Sequence, residues 1–251
     1  MTDRRRLLGR PIEAIRWGLE LDTRLYLGGS ITSVNGQART RLAAFNLTTG
    51  VLDTKWKPAA DDQVEAITSA SGRIYVGGKF HKVNSTSGYD RLVALDPSSG
   101  SIISGFKPKP PVISFGIAVT GDSVYSAHGG QGGKLNAYTL SGSLRWAATF
   151  DGDTQAVAAL GNTVYVGGHF DRACKTARTG AQGVCLDGSD DRVKLAALDV
   201  DDGSLLDWTA NANGVEGVLT MASSSSLGTI AAGGAFTTIN GKNQKRFVQF
   251  G

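Results

Sequence analysis

The 251 residues include only 2 cysteines, 2 methionines, 3 histidines and 6 prolines, and each scarcity excludes a class of protein. Cys174 and Cys185 stand in RACKTARTGAQGVCLDG without CxxC spacing or neighbouring histidines, which excludes a zinc finger or ribbon. No apolar run approaches the roughly 18 residues that a membrane-spanning helix needs. The chain has no glycine-rich loop with a following lysine in strand-to-helix context and no G-x-S-x-G elbow, so neither a phosphate-binding loop nor an esterase nucleophile is written in it. Charge is sparse as well. There are 26 Lys and Arg against 22 Asp and Glu, a net of +4, and the basic residues are scattered apart from Arg4, Arg5 and Arg6, so no nucleic-acid footprint emerges. Helical periodicity is missing throughout.

What the chain has in excess is glycine, 34 residues, roughly twice the usual share. Many of these recur in one setting. LYLGGSITSVNG begins at Leu25, IYVGGKFHKVN at Ile74, VYVGGHF at Val164, IAAGGAFTTING at Ile230, and a degraded copy, VYSAHGG, at Val124. Anchored on Tyr26, Tyr75, Tyr125, Tyr165 and Ala231, five copies follow at intervals near fifty residues. Each continues into a basic residue and a short alternating run: RLAAFN at Arg41, RLVALD at Arg91, KLNAYT at Lys134, KLAALD at Lys194 and RFVQF at Arg246. Four copies then reach a turn such as LTTG, PSSG, LSG or VDDG and a further strand closing on Trp56, Phe106, Trp146 or Trp208. An apolar run precedes each copy, as in VEAITSA at Val64.

Four short antiparallel strands per unit, repeated five times, predict an all-β, five-bladed β-propeller forming a single domain over 1–251. The repeats run approximately 12–58, 64–108, 112–150, 151–210 and 213–250. The last ends before its closing strand, and RLLGRP at 6–11 precedes the first copy much as KWKP precedes the second. Residues 1–11 are therefore expected to supply the missing strand and seal the ring. The double glycine is expected to let adjacent sheets approach, with Ile31, Phe80, Phe170 and Phe236 filling the wedge between blades.

The stretches GGSITSVNGQARTRLAAFNLTTGVLDTKWKP at Gly28 and GGAFTTINGKNQKRFVQF at Gly233 resemble the repeats of exported actinobacterial propellers of the kelch-like or delta-60 type, which are also similar to those of fungal cortical polarity proteins. The resemblance covers nearly the whole chain. It implies the propeller fold and an extracellular setting, and it transfers no catalytic motif. The third copy departs from it, with Ala127 and His128 where glycines are expected.

Candidate site residues come from the inner strands. IEAI, VEAI and VEGV align Glu13, Glu65 and Glu216, with Phe115 and Gln155 at the same place in the other copies. Pointing into a central channel, three carboxylates would raise one another's pKa and offer oxygen ligands to a Ca²⁺ ion or an acid and base for sugar hydrolysis. The competing reading has each glutamate cap the strand entrance and either face solvent or pair with a repeat-equivalent arginine. The repeated Arg41, Arg91, Lys134, Lys194 and Arg246 are read as holding strand-end carbonyls or neighbouring acids. His81, His128 and His169 lie near the glycine stretches at different offsets, with no metal-ligand spacing. Cys174 and Cys185 are either a local disulfide, which requires an oxidising compartment, or two buried thiols. DRRRLLG at Asp3 has a twin-arginine head but no apolar segment behind it, so an exported chain would have its natural leader missing or replaced here.

The expectation is therefore an extracellular, non-catalytic binding or scaffold propeller with a surface glycan or a protein as ligand. The rival is a polysaccharide-acting enzyme using the channel glutamates. No cofactor is expected beyond a Ca²⁺ ion in the channel, and neither a nucleic-acid partner nor membrane insertion is expected.

Overall fold

The computed structural model describes residues 15–251. Glu13 and the expected closing strand at 1–11 lie outside the described residues. The chain divides into two compact units, up to Pro111 and from Val112 onward.

In the first unit, β1 (Ile15–Leu21), β2 (Arg24–Gly29), the two-residue hairpin β3 (Ser33–Val34) and β4 (Gln37–Ala38), and β5 (Leu42–Asn46) make the first copy. The second copy repeats this with β6 (Val64–Ala70), β7 (Arg73–Gly78), β8 (Lys82–Val83), β9 (Thr86–Ser87) and β10 (Leu92–Leu95). Each copy is a three-stranded antiparallel sheet, β1-β2-β5 and β6-β7-β10, with the small hairpin set apart from it. The strand that bears the glycines is central. Between the two sheets lies a core of Tyr26, Leu42, Trp56, Val64, Val76, Phe80 and Val93.

The second unit holds three copies. The first comprises β11 (Ile113–Val119), β12 (Ser123–Gly129), β13 (Gly133–Thr139) and β14 (Leu144–Phe150); next come β15 (Thr154–Leu160), β16 (Thr163–Gly168), β17 (Arg172–Cys174), β18 (Ser189–Asp191) and β19 (Leu195–Asp199). The last has β20 (Val218–Ser224), β21 (Thr229–Gly234), β22 (Thr238–Ile239), β23 (Lys242–Asn243) and β24 (Phe247–Phe250). One 3₁₀ turn, Ala181–Gly183, is the only helical element among the described residues. The sheets are β11-β12-β13-β14, extended by β17-β18, then β15-β16-β19 and β20-β21-β24. Tyr125, Leu135, Phe150, Val166 and Phe170 pack between the first two, and Val218, Ala232, Phe236 and Val248 belong to the core of the last.

Among the described residues the four-stranded pattern is complete only in the third copy. In the first, second and fourth copies the expected fourth strand shrinks to one bridge, Phe45 with Leu52, Leu95 with Ile102 and Leu198 with Leu205. The physical reason is visible at Asp53, whose carboxylate accepts the amides of Lys55 and Trp56. The resulting turn sends the chain inward, so Trp56 is buried instead of continuing along the edge. Each closing aromatic meets the tyrosine of its own second strand: Tyr26 with Trp56, Tyr75 with Phe106, Tyr125 with Trp146 and Tyr165 with Trp208, at 4.9 to 5.8 Å between centroids. Trp56 Nε1 and Trp146 Nε1 also donate to carbonyls of the following sheet, Asp96 at 3.2 Å and Val200 at 3.1 Å.

The two glycines of a pair do different work. A Cβ on Gly28 would lie 2.6 Å from Val64 Cγ1 and one on Gly167 would lie 2.4 Å from Val218 Cγ1, so the first glycine receives a valine from the next sheet. The second faces its own incoming backbone. A Cβ on Gly78, Gly168 or Gly234 would lie 2.2, 2.0 or 2.1 Å from the carbonyl oxygen of Gln63, Asp153 or Gly217. Ile31, Phe80, Phe170 and Phe236 are fully buried, as the wedge reading expects.

A candidate binding cleft beside an open strand edge

Every first strand of a copy carries a one-residue register shift at the same place, between Ile15 and Trp17, Val64 and Ala66, Ser114 and Gly116, Thr154 and Ala156, and Val218 and Thr220. The extra residue of each bulge is therefore Arg16, Glu65, Phe115, Gln155 or Leu219. This corrects the alignment read from the sequence. The structural counterparts of Glu65 are Arg16 and Leu219, three residues beyond Glu13 and Glu216. The repeated V/I-E-x-V/I wording had masked that offset.

Glu65 is only 4% exposed, and both its oxygens are engaged. Oε2 lies 3.0 Å from Arg16 Nη1 of the preceding sheet, and Oε1 lies 3.4 Å from Lys79 Nζ. Glu216 is exposed in the loop before β20, and Glu13 is outside the described residues. Among the described residues no group of three or more His, Cys, Asp or Glu is arranged to hold a metal ion.

The repeated basic residues act on backbone. Arg41, Arg91, Lys194 and Arg246 have φ of 71°, 65°, 68° and 63°, a left-handed conformation that is uncommon outside glycine. Their amides donate to Ile31, Phe80, Phe170 and Phe236. Three side chains reach the carbonyl one residue earlier: Arg41 to Ser30 at 3.2 Å, Arg91 to Lys79, and Lys194 to His169 at 2.9 Å. Lys194 also pairs with Asp171 at 2.7 Å. Lys134 differs because it runs within β13, paired with Thr149.

His81 and His169 are bonded locally. Arg91 has only donors, so His81 Nε2 accepts from it at 3.0 Å and Nδ1 donates to Asp90 at 3.0 Å. That bond from His81 holds the Asp90 carboxyl below the usual range. His169 Nε2 accepts the Asp153 amide at 3.4 Å. His128 is fully buried, and desolvation pushes its pKa down to about 4.

Among the described residues, a site with room for a ligand lies in the second unit, and no candidate residue read from the sequence falls in it except Cys174 of the disulfide. A cleft of about 500 Å³ is lined by Ala147 to Phe150 of β14, Ala173 and Cys174 of β17 with Lys175 to Ala177 after it, Asp190 of β18, and Leu198 and Gly203 to Leu205 on the side of the neighbouring sheet. It exists because β17 joins β14 at a single pair, Phe150 with Ala173, and then leaves it. The departing chain is held by the β17–β18 hairpin, by the Cys174–Cys185 disulfide with 5.2 Å between Cα atoms, and by Asp187, which accepts from Thr176 at 2.6 Å and Arg178 at 2.8 Å. The walls combine Phe150, Leu198 and Leu205 with Thr149, Thr176, Ser204, Lys175 and Asp190. Two signals in the sequence pointed this way: the long insertion between Phe170 and Lys194, and the third copy's full-length LRWAATF strand.

A family model described as outer membrane protein assembly factor BamB matches residues 88–243. No curated protein matches the chain. Among solved structures, the WD40 β-propeller domain of Doa1 superposes with a TM-score of 0.55 at 11% identity, covering 86% of this chain and 58% of that one. The WD40 domain of Neurospora crassa Pan2 does so with a TM-score of 0.52 at 11% identity, covering 87% and 61%. The computationally designed Ika8 protein gives a TM-score of 0.50 at 12% identity, covering 92% and 73%. The chain thus spans about three fifths of the Doa1 and Pan2 domains. These likenesses and the repeated antiparallel sheets establish an all-β, propeller-like fold.

Proposed function

The chain belongs to the family described as outer membrane protein assembly factor BamB, and from that premise we propose that it is a non-catalytic binding or scaffold propeller, exported from the cell, whose ligand-binding surface is the cleft between β14 and the disulfide hairpin. The observation that carries this reading is the cleft itself, held open by covalent and ionic ties instead of being filled by core side chains. A disulfide persists in an oxidising compartment, which supports the exported setting. Of the glutamates expected to serve as acid or base, Glu65 is closed off by two cations, which weighs against its use in a polysaccharide-acting enzyme.

The proposal includes five blades in a ring closed by residues 1–11. Five repeats, each with one main sheet beside the small hairpins, support it. Ile15 also occupies the register position of Val64 and Val218, the residues that enter the slots above Gly28 and Gly167.

The test measures binding to glycan and peptide arrays beside a polysaccharide-hydrolysis assay. Binding lost in Ser204→Trp, which fills the cleft, and retained in Glu65→Gln is the expected result. Hydrolysis that Glu65→Gln abolishes would overturn the reading.

A further inference from the structure

Resting on that reading, we infer that the occupant of the cleft is a short extended peptide segment that adds to the open edge of β14 as a further antiparallel or parallel strand. Residues of an antiparallel strand turn their N–H and C=O groups alternately toward one neighbour and the other. On its inner side β14 is fully paired with β13, from Phe150 to Trp146. On its outer side it is paired only at Phe150, with Ala173 of β17. An edge of this kind is a template for another chain, and proteins usually blunt it. Here the blunting is confined to the two ends. The register shift at Arg145 breaks the strand at one end, and β17 covers the other. Trp146 to Thr149 remain between them, a lane of four residues and about 13 Å at roughly 3.4 Å per residue.

The molecule itself shows that this edge accepts a strand, because β17 already does so for one residue. Beyond Cys174 the chain would have continued along β14, yet Lys175, Thr176 and Ala177 form the opposite wall of the cleft. The disulfide and the Asp187 contacts hold them there. The vacated lane is therefore built into the fold. Its strand side is small, with Ala147 exposed and Ala148 half-buried, so a backbone can approach closely. Phe150, the aromatic in the cleft wall, is fully buried and presents no ring for a sugar to stack on. Main-chain hydrogen bonding with shallow side-chain pockets suits an extended peptide.

The experiment uses the full chain. An immobilised array of capped hexapeptides, with Val, Thr and Ser alternating with randomised positions, selects a binder, which is then titrated by fluorescence anisotropy. N-methylation of the peptide backbone at alternate residues is expected to weaken binding at least tenfold in one register and hardly at all in the other. Binding is expected to slow amide exchange in β14 and to vanish in Ala147→Trp with the thermal midpoint unchanged. Equal tolerance of N-methylation in both registers, binding that survives Ala147→Trp, or no hexapeptide bound at millimolar concentration would overturn the inference. Should Ala147→Trp fail to fold, the N-methylation comparison decides alone. Glycans bound in the cleft with no peptide bound would refute the added strand but keep the binding module; polysaccharide turnover would refute the module.

Discussion

Gly167 and Gly168 are adjacent, yet they fail for different reasons when a methyl group is added. At Gly167 the obstacle is Val218 Cγ1, a side chain that can turn or be shortened; at Gly168 it is the Asp153 carbonyl oxygen, which cannot move without the strand. Gly167→Ala should therefore cost about 1 to 3 kcal/mol and Gly168→Ala more. Denaturant unfolding would check this, and the decisive arm is the double variant. Val218→Ala should recover part of the Gly167→Ala loss and none of the Gly168→Ala loss; equal recovery of both would refute the division of labour. His128 gives a second residue-level prediction. Its folded pKa of about 4 lies below the usual value of 6.5 because burial disfavours the charged ring. Above pH 6.5 both states are neutral and the group does not affect stability. Below it the unfolded chain takes up a proton that the folded one refuses, so stability falls from pH 6.5 down through about 4, by roughly 3 kcal/mol in all. The carboxyls held low, such as Asp61, which accepts the amides of His81 and Lys82, lose their contribution only below their ordinary value near 3.8. His128→Asn should flatten the stability profile between pH 7 and 4 and leave the acid limb in place, as read by urea midpoints at each pH.

The loop that carries the chain from the second strand to the third is the element where sequence and structure agree most closely. A basic residue at the head of every third strand was readable, and so, for Arg41, Arg91 and Lys194, was its use on carbonyls. Its left-handed backbone was not, because lysine and arginine ordinarily avoid that region and only the surrounding bonds impose it. This yields a prediction separating backbone from side chain. Lys194→Ala removes the bonds to His169 and Asp171 and keeps the strained φ of 68°; Lys194→Gly removes the same bonds and relieves the strain. The glycine variant should be the more stable of the two by about 1 kcal/mol. Identical melting temperatures would show that the conformation carries no cost. The inner strands teach the opposite lesson. The glutamate alignment looked regular, but the bulge at Arg16, Glu65, Phe115, Gln155 and Leu219 sets the true register, and no composition rule marks a bulge whose residues share no chemistry. The closing strands were over-read for a similar reason. Their alternation is genuine, yet the turn at Asp53 diverts the chain after one bridge.

At the scale of the whole chain, repetition made the all-β propeller-like fold legible, because five copies of one hairpin grammar leave few architectures open. Repetition also hid the cleft, since that site arises where two copies break the rule: the third keeps a full outer strand, and the fourth inserts a disulfide hairpin beside it. Breaks in a repeat are where a set of similar sheets acquires one distinct surface. The same logic bears on the last sheet, where Ala231 replaces the tyrosine, no closing aromatic follows within the chain, and Thr220, Ala222 and Phe247 are exposed. In the other sheets the tyrosine packs against a closing aromatic from the end of its own copy, whereas here the only sequence resembling that end is 6–11. If residues 1–11 seal the ring, deleting them should lower the melting temperature by several degrees, since about 1 kcal/mol shifts a domain of this size by 2 to 4 °C. Amide exchange should then quicken first in Phe247–Phe250 and β21, while β12 and β13 keep their protection. Unchanged exchange in β24 after the deletion would show that the last sheet stands without that strand, and the ring closure would have to be abandoned.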